Sequence, residues 1–234
     1  MPRNVLISGA NRGIGLEFVR QLLARGEHVV GACRHPGKAT SLNALAGEYP
    51  GRLHVLPLDV AEAKSRASLV HDLPLVLGDA GRIDLLVNNA GVLHSGERFG
   101  HVEQAILEDS LRTNAVGPFL LSQALAPLLA DGGRIANISS QLGSIGNTAR
   151  FGTPSYDISK AAQNMASVLL ARALEERGIV VLALHPGWVQ TEMGGANAQV
   201  APADAVAGLL RVIDAATPGQ SGRFLDWRGE SLPW

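Results

Sequence analysis

Tyr156 and Lys160 stand four positions apart in Tyr156-Asp157-Ile158-Ser159-Lys160, so a phenol and an ammonium share one face if that stretch is helical. Ser139-Ser140 precedes them. Near the N-terminus, Gly9-Ala10-Asn11-Arg12-Gly13-Ile14-Gly15 could form a turn whose backbone N–H groups hold a dinucleotide pyrophosphate. Glycine suits that task because a Cβ would block the tight turn or the approach of the phosphates. The spacing is Gly-x-x-x-Gly-x-Gly rather than Gly-x-Gly-x-x-Gly, and a purely structural turn is the competing reading. A Tyr-x-x-x-Lys pair is weak when taken alone. Both signals depend on the elements that position them.

Short apolar runs alternate with helical patterns along the chain. Val5-Leu6-Ile7 reads as a buried strand ending at Gly9. Ile14, Phe18, Leu22 and Leu23 then recur at helical spacing, with Gly26 as the stop. Strands follow at 28–33, 53–58 and 83–87, separated by helical stretches near 39–46 and 63–77. A long helical region over 102–130 should kink or divide at Gly117-Pro118 and Pro127. Strand five spans 134–138. A loop over 141–153 leads to a helix from 154 to about 177, strand six at 179–184, a helix near 202–215 and a last strand near 222–225.

Strands separated by crossovers of that length must pair in parallel, with helices covering both faces. The expected fold class is α/β: a single doubly wound (Rossmann) parallel sheet of about seven strands, forming one domain over residues 1–234. Ligands in such sheets bind beyond the carboxyl ends of the strands. The glycine turn, Ser140 and the helix bearing Tyr156 and Lys160 therefore converge on one crevice.

Charge at the end of strand two selects the nucleotide. An acidic residue about 20 residues beyond the glycines would hold the ribose 2′-hydroxyl of NAD. Cys33-Arg34-His35 stands there instead, with Lys38 just beyond. The Arg34 guanidinium can grip a 2′-phosphate in bidentate fashion, and Arg12 can approach from the other side. One charge-assisted hydrogen bond contributes roughly 1.5–3 kcal/mol, or about 10- to 150-fold in affinity. The alternative is that both arginines are simply solvated. NADP(H) is the favoured cofactor.

Composition narrows the remaining classes. Apolar residues make up 46% and charged residues 18%, enough for a core, and 20 basic against 21 acidic side chains leave a net charge of −1. Without a Lys/Arg-rich run, nucleic acid and anionic membrane lose their main physical support as partners. The single cysteine, Cys33, cannot form an intramolecular disulfide and reads as buried packing. None of the seven histidines falls in a His-x-x-x-His spacing, so no metal site is expected. The chain turns polar at Ser8 and has no apolar run of about 18 residues, which makes a cytoplasmic location the expectation. No Gly-x-Ser-x-Gly elbow supports a serine hydrolase.

Over essentially its whole length the sequence resembles the short-chain dehydrogenase/reductase family. The resemblance rests on Ser8 through Gly15, Asp59-Val60, Asn88-Asn89-Ala90-Gly91, Asn114, Ser140, Tyr156 with Lys160, and Pro186-Gly187 with Thr191. Within the family it is most similar to the C-factor/sniffer-type carbonyl reductases, through the glycine turn with Leu16-Glu17, the run from His185 to Gly195, and Trp234.

That resemblance implies NADPH-dependent reduction of an aldehyde or ketone. Tyr156 would be the general acid, and Lys160 would supply positive charge and hold the nicotinamide ribose. Ser140 would orient the carbonyl oxygen, and Asn114 would hold a water of a proton relay. Lowering a phenol pKa from about 10 by about 3 units needs roughly 4 kcal/mol, which Lys160 and the oxidised nicotinamide are expected to provide. Gly9, Asn11, Arg12, Gly13, Ile14 and Gly15 would hold the pyrophosphate side, with Arg34 at the 2′-phosphate. Asp59 and Val60 would meet the adenine, and Asn88, Ala90 and Gly91 would line the adenosine side. Pro186, Gly187, Val189 and Thr191 would flank the nicotinamide.

Some readings compete with these roles. Asn114 could be a solvated helical residue, and Asn88-Asn89 a pair of amides tying strands together. Ser139 rivals Ser140, because the loop to Tyr156 is longer than is common in the family. Leu93, Phe99, Phe151, Trp188 and Met193 could form an apolar wall for a small-molecule carbonyl or alcohol substrate. Helices near 120–129 and 161–174 suggest a homodimer. The rival functions are a non-catalytic NADP(H)-binding redox sensor or signalling protein, and an NAD-dependent alcohol dehydrogenase.

Overall fold

The computed structural model describes residues 2–77 and 81–234. Seven strands form one sheet: β1 (Asn4–Ser8), β2 (His28–Cys33), β3 (Leu53–Pro57), β4 (Ile83–Asn88), β5 (Leu129–Ile138), β6 (Val180–His185) and β7 (Arg223–Asp226). Every pairing is parallel, in the order β3-β2-β1-β4-β5-β6-β7. The chain winds outward from β1 in one direction, then returns to start again at β4 on its other side. The β1/β4 seam is therefore the point at which strand order reverses, where open sheets of this kind leave a crevice.

Helices α1 (Gly13–Ala24), α2 (Thr40–Glu48) and α7 (Pro202–Ala215) cover one face. Phe18 and Leu22 of α1 and Leu209 and Ile213 of α7 are fully buried there with Val5, Ile7, Leu85 and Val87 of the sheet. Helices α3 (Ala63–Leu77), α5 (Gly117–Leu125) and α6 (Pro154–Ala173) cover the other, where Leu69, Leu121, Leu125 and Leu170 meet Leu6, Leu86 and Val181. Alternate residues of one strand thus enter opposite cores, which explains the unbroken apolar runs Val5–Ile7 of β1 and Leu85–Val87 of β4. No helix of the described residues is long and apolar enough to cross a membrane.

The region expected to kink does so by a specific device. Helix α4 (Gln104–Leu111) passes through a π turn at Arg112–Val116 into α5. Pro118 has no N–H to offer the Asn114 carbonyl four residues back, so the α-helical ladder cannot run through unaltered. Gly117 fits there because a Cβ would lie 2.8 Å from the Val60 carbonyl oxygen. Strand β5 begins earlier than expected, at Leu129. Its register shifts between the Ile83 and Leu85 pairings, and the intervening glycines include Gly132 at φ +73°.

Candidate active site

The glycine turn is closed by contacts that leave no room for side chains. A Cβ on Gly15 would sit 2.2 Å from the Gly9 carbonyl oxygen and 2.5 Å from Asn89 Nδ2. Gly9 (φ +67°) abuts the Ala90 backbone, and Gly13 (φ +53°) faces the methyl of Thr191. Asn89 holds the seam by donating from Nδ2 to the carbonyls of Ser8 (3.1 Å) and Gly9 (3.0 Å). Ser8 Oγ accepts from the backbone N–H groups of Asn89 and Ala90, both at 3.1 Å. Gly15→Ala is expected to destabilise the protein by about 1–3 kcal/mol and to weaken dinucleotide binding, since the obstruction is backbone and cannot rotate away. Thermal melting and NADPH fluorescence titration measure both effects. Gly47→Ala, with open space around the added methyl, is the control expected to leave binding intact.

This turn fits a dinucleotide. Helix α1 begins at Gly13 with no side chain capping its first N–H groups and no acidic residue in its first turn, so its positive end is free for an anion. Asn11 and Arg12 are exposed, Ile14 is half-buried, and Arg34 is exposed just beyond β2. Arg12 is not directed as expected. Its guanidinium pairs with Glu192, on the loop after β6.

Two other candidate groups are already engaged within the protein. Asp59 accepts from Ala61 N at 3.0 Å and shapes the turn after β3, while the buried Val60 accepts from Arg66 through its carbonyl. Asn88 is 1% exposed, and its Nδ2 donates to Ser122 Oγ and Asn137 Oδ1 at 2.9 and 2.8 Å. Its side chain thus joins β4, β5 and α5 inside the protein.

Four candidates meet at the carboxyl ends of β4 and β5. Asn114, Ser140, Tyr156 and Lys160 are each less than a tenth exposed. Lys160 Nζ lies 5.6 Å from the Tyr156 ring centroid and donates to the Ile138 carbonyl at 2.8 Å and Gln163 Oε1 at 2.9 Å. Asn114 accepts from Val92 N and donates to the Val92 carbonyl, both at 2.8 Å, and to Ser159 Oγ at 2.9 Å. It is not a solvated helical residue. Gly91 stands between the two, because a Cβ there would be 3.2 Å from Asn114 Oδ1 and 3.9 Å from Lys160 Nζ.

The two serines face different partners. Ser139 Oγ donates to Asn164 Oδ1 at 2.6 Å, and Asn164 in turn donates to the Gly143 carbonyl. Ser140 Oγ accepts from Leu142 N at 3.1 Å and lies close enough to the Tyr156 hydroxyl to lower its pKa. Gly143 lets this loop lie directly on α6, where a Cβ would meet the Lys160 backbone at 2.6 Å. The C-terminal residues brace the same loop: Ser144 Oγ donates to the Pro233 carbonyl and Gly146 N to that of Trp234.

Burial dominates the electrostatics. It pushes the Tyr156 hydroxyl up to about 12, with the Ser140 hydrogen bond pulling the other way and nearby Asp157 adding to the rise. The expected lowering by Lys160 is not present in the protein alone. Burial likewise brings Lys160 down to about 7. Between about pH 7 and the ordinary lysine value of 10.5 the unfolded chain binds a proton here that the folded chain does not. This group therefore makes stability rise with pH across that window. Urea midpoints of the cofactor-free protein should show this rise, and Lys160→Met should flatten it. Identical pH slopes would refute the depressed value.

Beyond β6, Pro186 and Val189 are buried, and Gly187 (φ +83°) lies where a Cβ would be 3.0 Å from Trp227 Nε1. Thr191 Oγ1 accepts from Gly194 N at 3.1 Å. Sequence reasoning missed Glu97, whose carboxylate accepts from the N–H and hydroxyl of Ser155 and so ties the β4–α4 loop to the residue before Tyr156. It also missed Asn137, Gln163, Asn164 and Ser167. Positions 156, 159, 160, 163, 164 and 167 repeat at helical spacing, and that polar stripe was the available signal.

Comparison with known proteins agrees with this geometry. C-signal of Myxococcus xanthus is 42% identical over 156 residues, covering 66% of this chain and 94% of the relative. The NADPH-bound carbonyl reductase from chicken fatty liver superimposes with a TM-score of 0.94 at 36% identity, covering 100% of this chain and 99% of that one. Carbonyl reductase Sniffer of D. melanogaster gives 0.95 at 32% identity, covering both chains fully. Residues 3–201 match the family described as short chain dehydrogenase, and the chain belongs to that family.

Proposed function

We propose that this protein is an NADPH-dependent reductase of aldehydes or ketones, with residues 1–234 acting as one cofactor-binding and catalytic domain. The observation that carries the reading is the burial of Ser140, Tyr156 and Lys160 together, with Lys160 Nζ 5.6 Å from the Tyr156 ring centroid and Ser140 near enough to the phenol to lower its pKa. The NADPH of the chicken reductase supports the choice of cofactor, as does the absence of a carboxylate at Cys33-Arg34-His35.

When bound, NADPH supplies a hydride to the carbonyl carbon. Tyr156 gives its hydroxyl proton to the carbonyl oxygen as negative charge gathers there. A phenol held above its usual pKa keeps that proton through neutral pH. Ser140 accepts from Leu142 N, which leaves its one O–H to turn from the Tyr156 oxygen to the carbonyl oxygen and orient it. Lys160 places positive charge beside the phenolate that forms. Asn114 would hold the water that returns the proton from solvent towards Lys160, through its backbone carbonyl, which Pro118 cannot engage, because its side chain is committed to Val92 and Ser159. Gly9 through Gly15 and Arg34 hold the dinucleotide, and Pro186, Gly187, Val189 and Thr191 border its nicotinamide end. Asp59, Val60, Ala90 and Gly91 lie along the adenosine side.

A non-catalytic NADP(H)-binding signalling protein is the second reading, and the likeness to a protein named C-signal favours it. Against it stands the cost of burying a phenol and an ammonium together, which cofactor binding alone does not require. Absorbance of NADPH and NADH over a panel of carbonyl compounds decides between the two. NADPH oxidation with at least one carbonyl is expected, whereas cofactor binding with no turnover across the panel would favour the signalling reading. A homodimer through the outer faces of α5 and α6, where Met165 and Leu169 are exposed, belongs to the proposal, and sedimentation velocity tests it.

A further inference from the structure

Helix α6 turns a polar stripe inward, and nearly every member ties the helix to another element. Ser159 joins Asn114 to the Tyr156 carbonyl, Asn164 joins Ser139 to Gly143, and Ser167 joins Asn137 to the Gln163 carbonyl. The side chain of Gln163 does none of this. It is 1% exposed, its Oε1 takes a hydrogen bond from Lys160 Nζ at 2.9 Å, and its Nε2 is buried without a protein partner. A buried amide with one unmatched end is destabilising where a leucine would pack without penalty. The oxygen end is the part of this side chain with a use.

An ammonium has three N–H donors. The Ile138 carbonyl at the end of β5 takes one at 2.8 Å and Gln163 takes the second. One donor remains for the crevice. With a single acceptor the ammonium could swing about its four-carbon stem, whereas two acceptors on different elements fix it in place. We propose that Gln163 is a positioning residue for Lys160, seating the ammonium against β5 so that its third N–H is presented to the crevice. This rests on the reading of Lys160 as the charged partner of Tyr156.

The seat also governs how long the charge is kept. Burial moves Lys160 down from its ordinary value, and among the described residues no charged group on α4, α5, the π turn, β5 or β6 opposes that fall. Tyr156 is the titratable neighbour against it. Removing the Gln163 acceptor therefore makes Lys160 give up its proton at lower pH, and a carboxylate in its place has the opposite effect.

The test measures kcat and KM against pH for Gln163→Leu and Gln163→Glu, with NADPH and the best carbonyl of the panel, using Lys160→Met as the reference. Gln163→Leu is expected to lower kcat about tenfold with KM little changed, and to move the alkaline fall of activity down by about one pH unit. Gln163→Glu should move that fall up by about one unit. Superimposable pH profiles in folded variants, with or without a uniform loss of activity, would overturn the proposal. If melting shows Gln163→Leu to be unfolded, the Glu variant alone decides, an upward shift supporting the proposal and an unshifted profile overturning it. Activity retained in Lys160→Met would instead remove the underlying reading of Lys160.

Discussion

Tyr156→Phe is expected to lower kcat for carbonyl reduction by about 10²- to 10⁴-fold, the range a positioned general acid contributes. The substitution removes one oxygen and leaves the ring in its buried place beside Lys160. NADPH affinity and melting temperature should therefore stay close to those of the natural protein. The separation matters because Ser140 and Lys160 remain, and they can still orient and polarise a carbonyl but have no acid to complete the transfer. Stopped-flow single turnover at saturating NADPH isolates the chemical step. Equal turnover in the variant would refute the assignment of the acid.

Arg34→Asp is expected to reverse the cofactor preference. Losing a charge-assisted hydrogen bond weakens NADPH binding by about 10- to 150-fold. The new carboxylate repels the 2′-phosphate and offers an acceptor to the 2′-hydroxyl of NADH. Arg34 is exposed just beyond β2, so the substitution should cost little stability. Arg12 is a lesser contributor. Its ion pair with Glu192 joins side chains 62% and 77% exposed, worth at most about 1 kcal/mol, so a phosphate can compete for that guanidinium. The kcat/KM ratio for the two cofactors reads the outcome, and an unchanged ratio would remove Arg34 from the phosphate site.

The sheet was legible in the sequence because its causes are local. Val5-Leu6-Ile7 and Leu85-Leu86-Val87 are unbroken apolar runs, as strands covered on both faces require. Tyr156, Lys160 and the glycine turn were legible for a similar reason, each being a short spacing on a single element. The π turn was half legible: Gly117-Pro118 announced a break, but the loss of one helical bond to Asn114 follows only when the register is known. What the sequence concealed are pairings across long separations. Nothing around Glu97 marks it as a partner for Ser155, 58 residues away. Ser140 was preferred to Ser139 by resemblance alone, and the hydrogen bond from Ser139 to Asn164 is a long-range pairing that the sequence does not announce. Asn88 combines a site motif with a core position, and its contacts with Ser122 and Asn137 give its side chain to the core.

The polar stripe on α6 carries a more general lesson. An inward-facing run of Tyr156, Ser159, Lys160, Gln163, Asn164 and Ser167 is a poor core by any apolar criterion, yet all six are buried. Such a helix is stable because the π turn, β5 and residues 139–143 supply partners for nearly every polar group of the stripe. The same matching holds the reacting groups in one geometry.

Mass spectrometry of the product formed with NADPH deuterated on the transferred face of nicotinamide C4 tests the central claim most directly. One deuterium on the carbinol carbon of the alcohol is predicted, with the hydroxyl proton coming from solvent by way of Tyr156. An alcohol product without deuterium, or no alcohol from any carbonyl supplied, would contradict it.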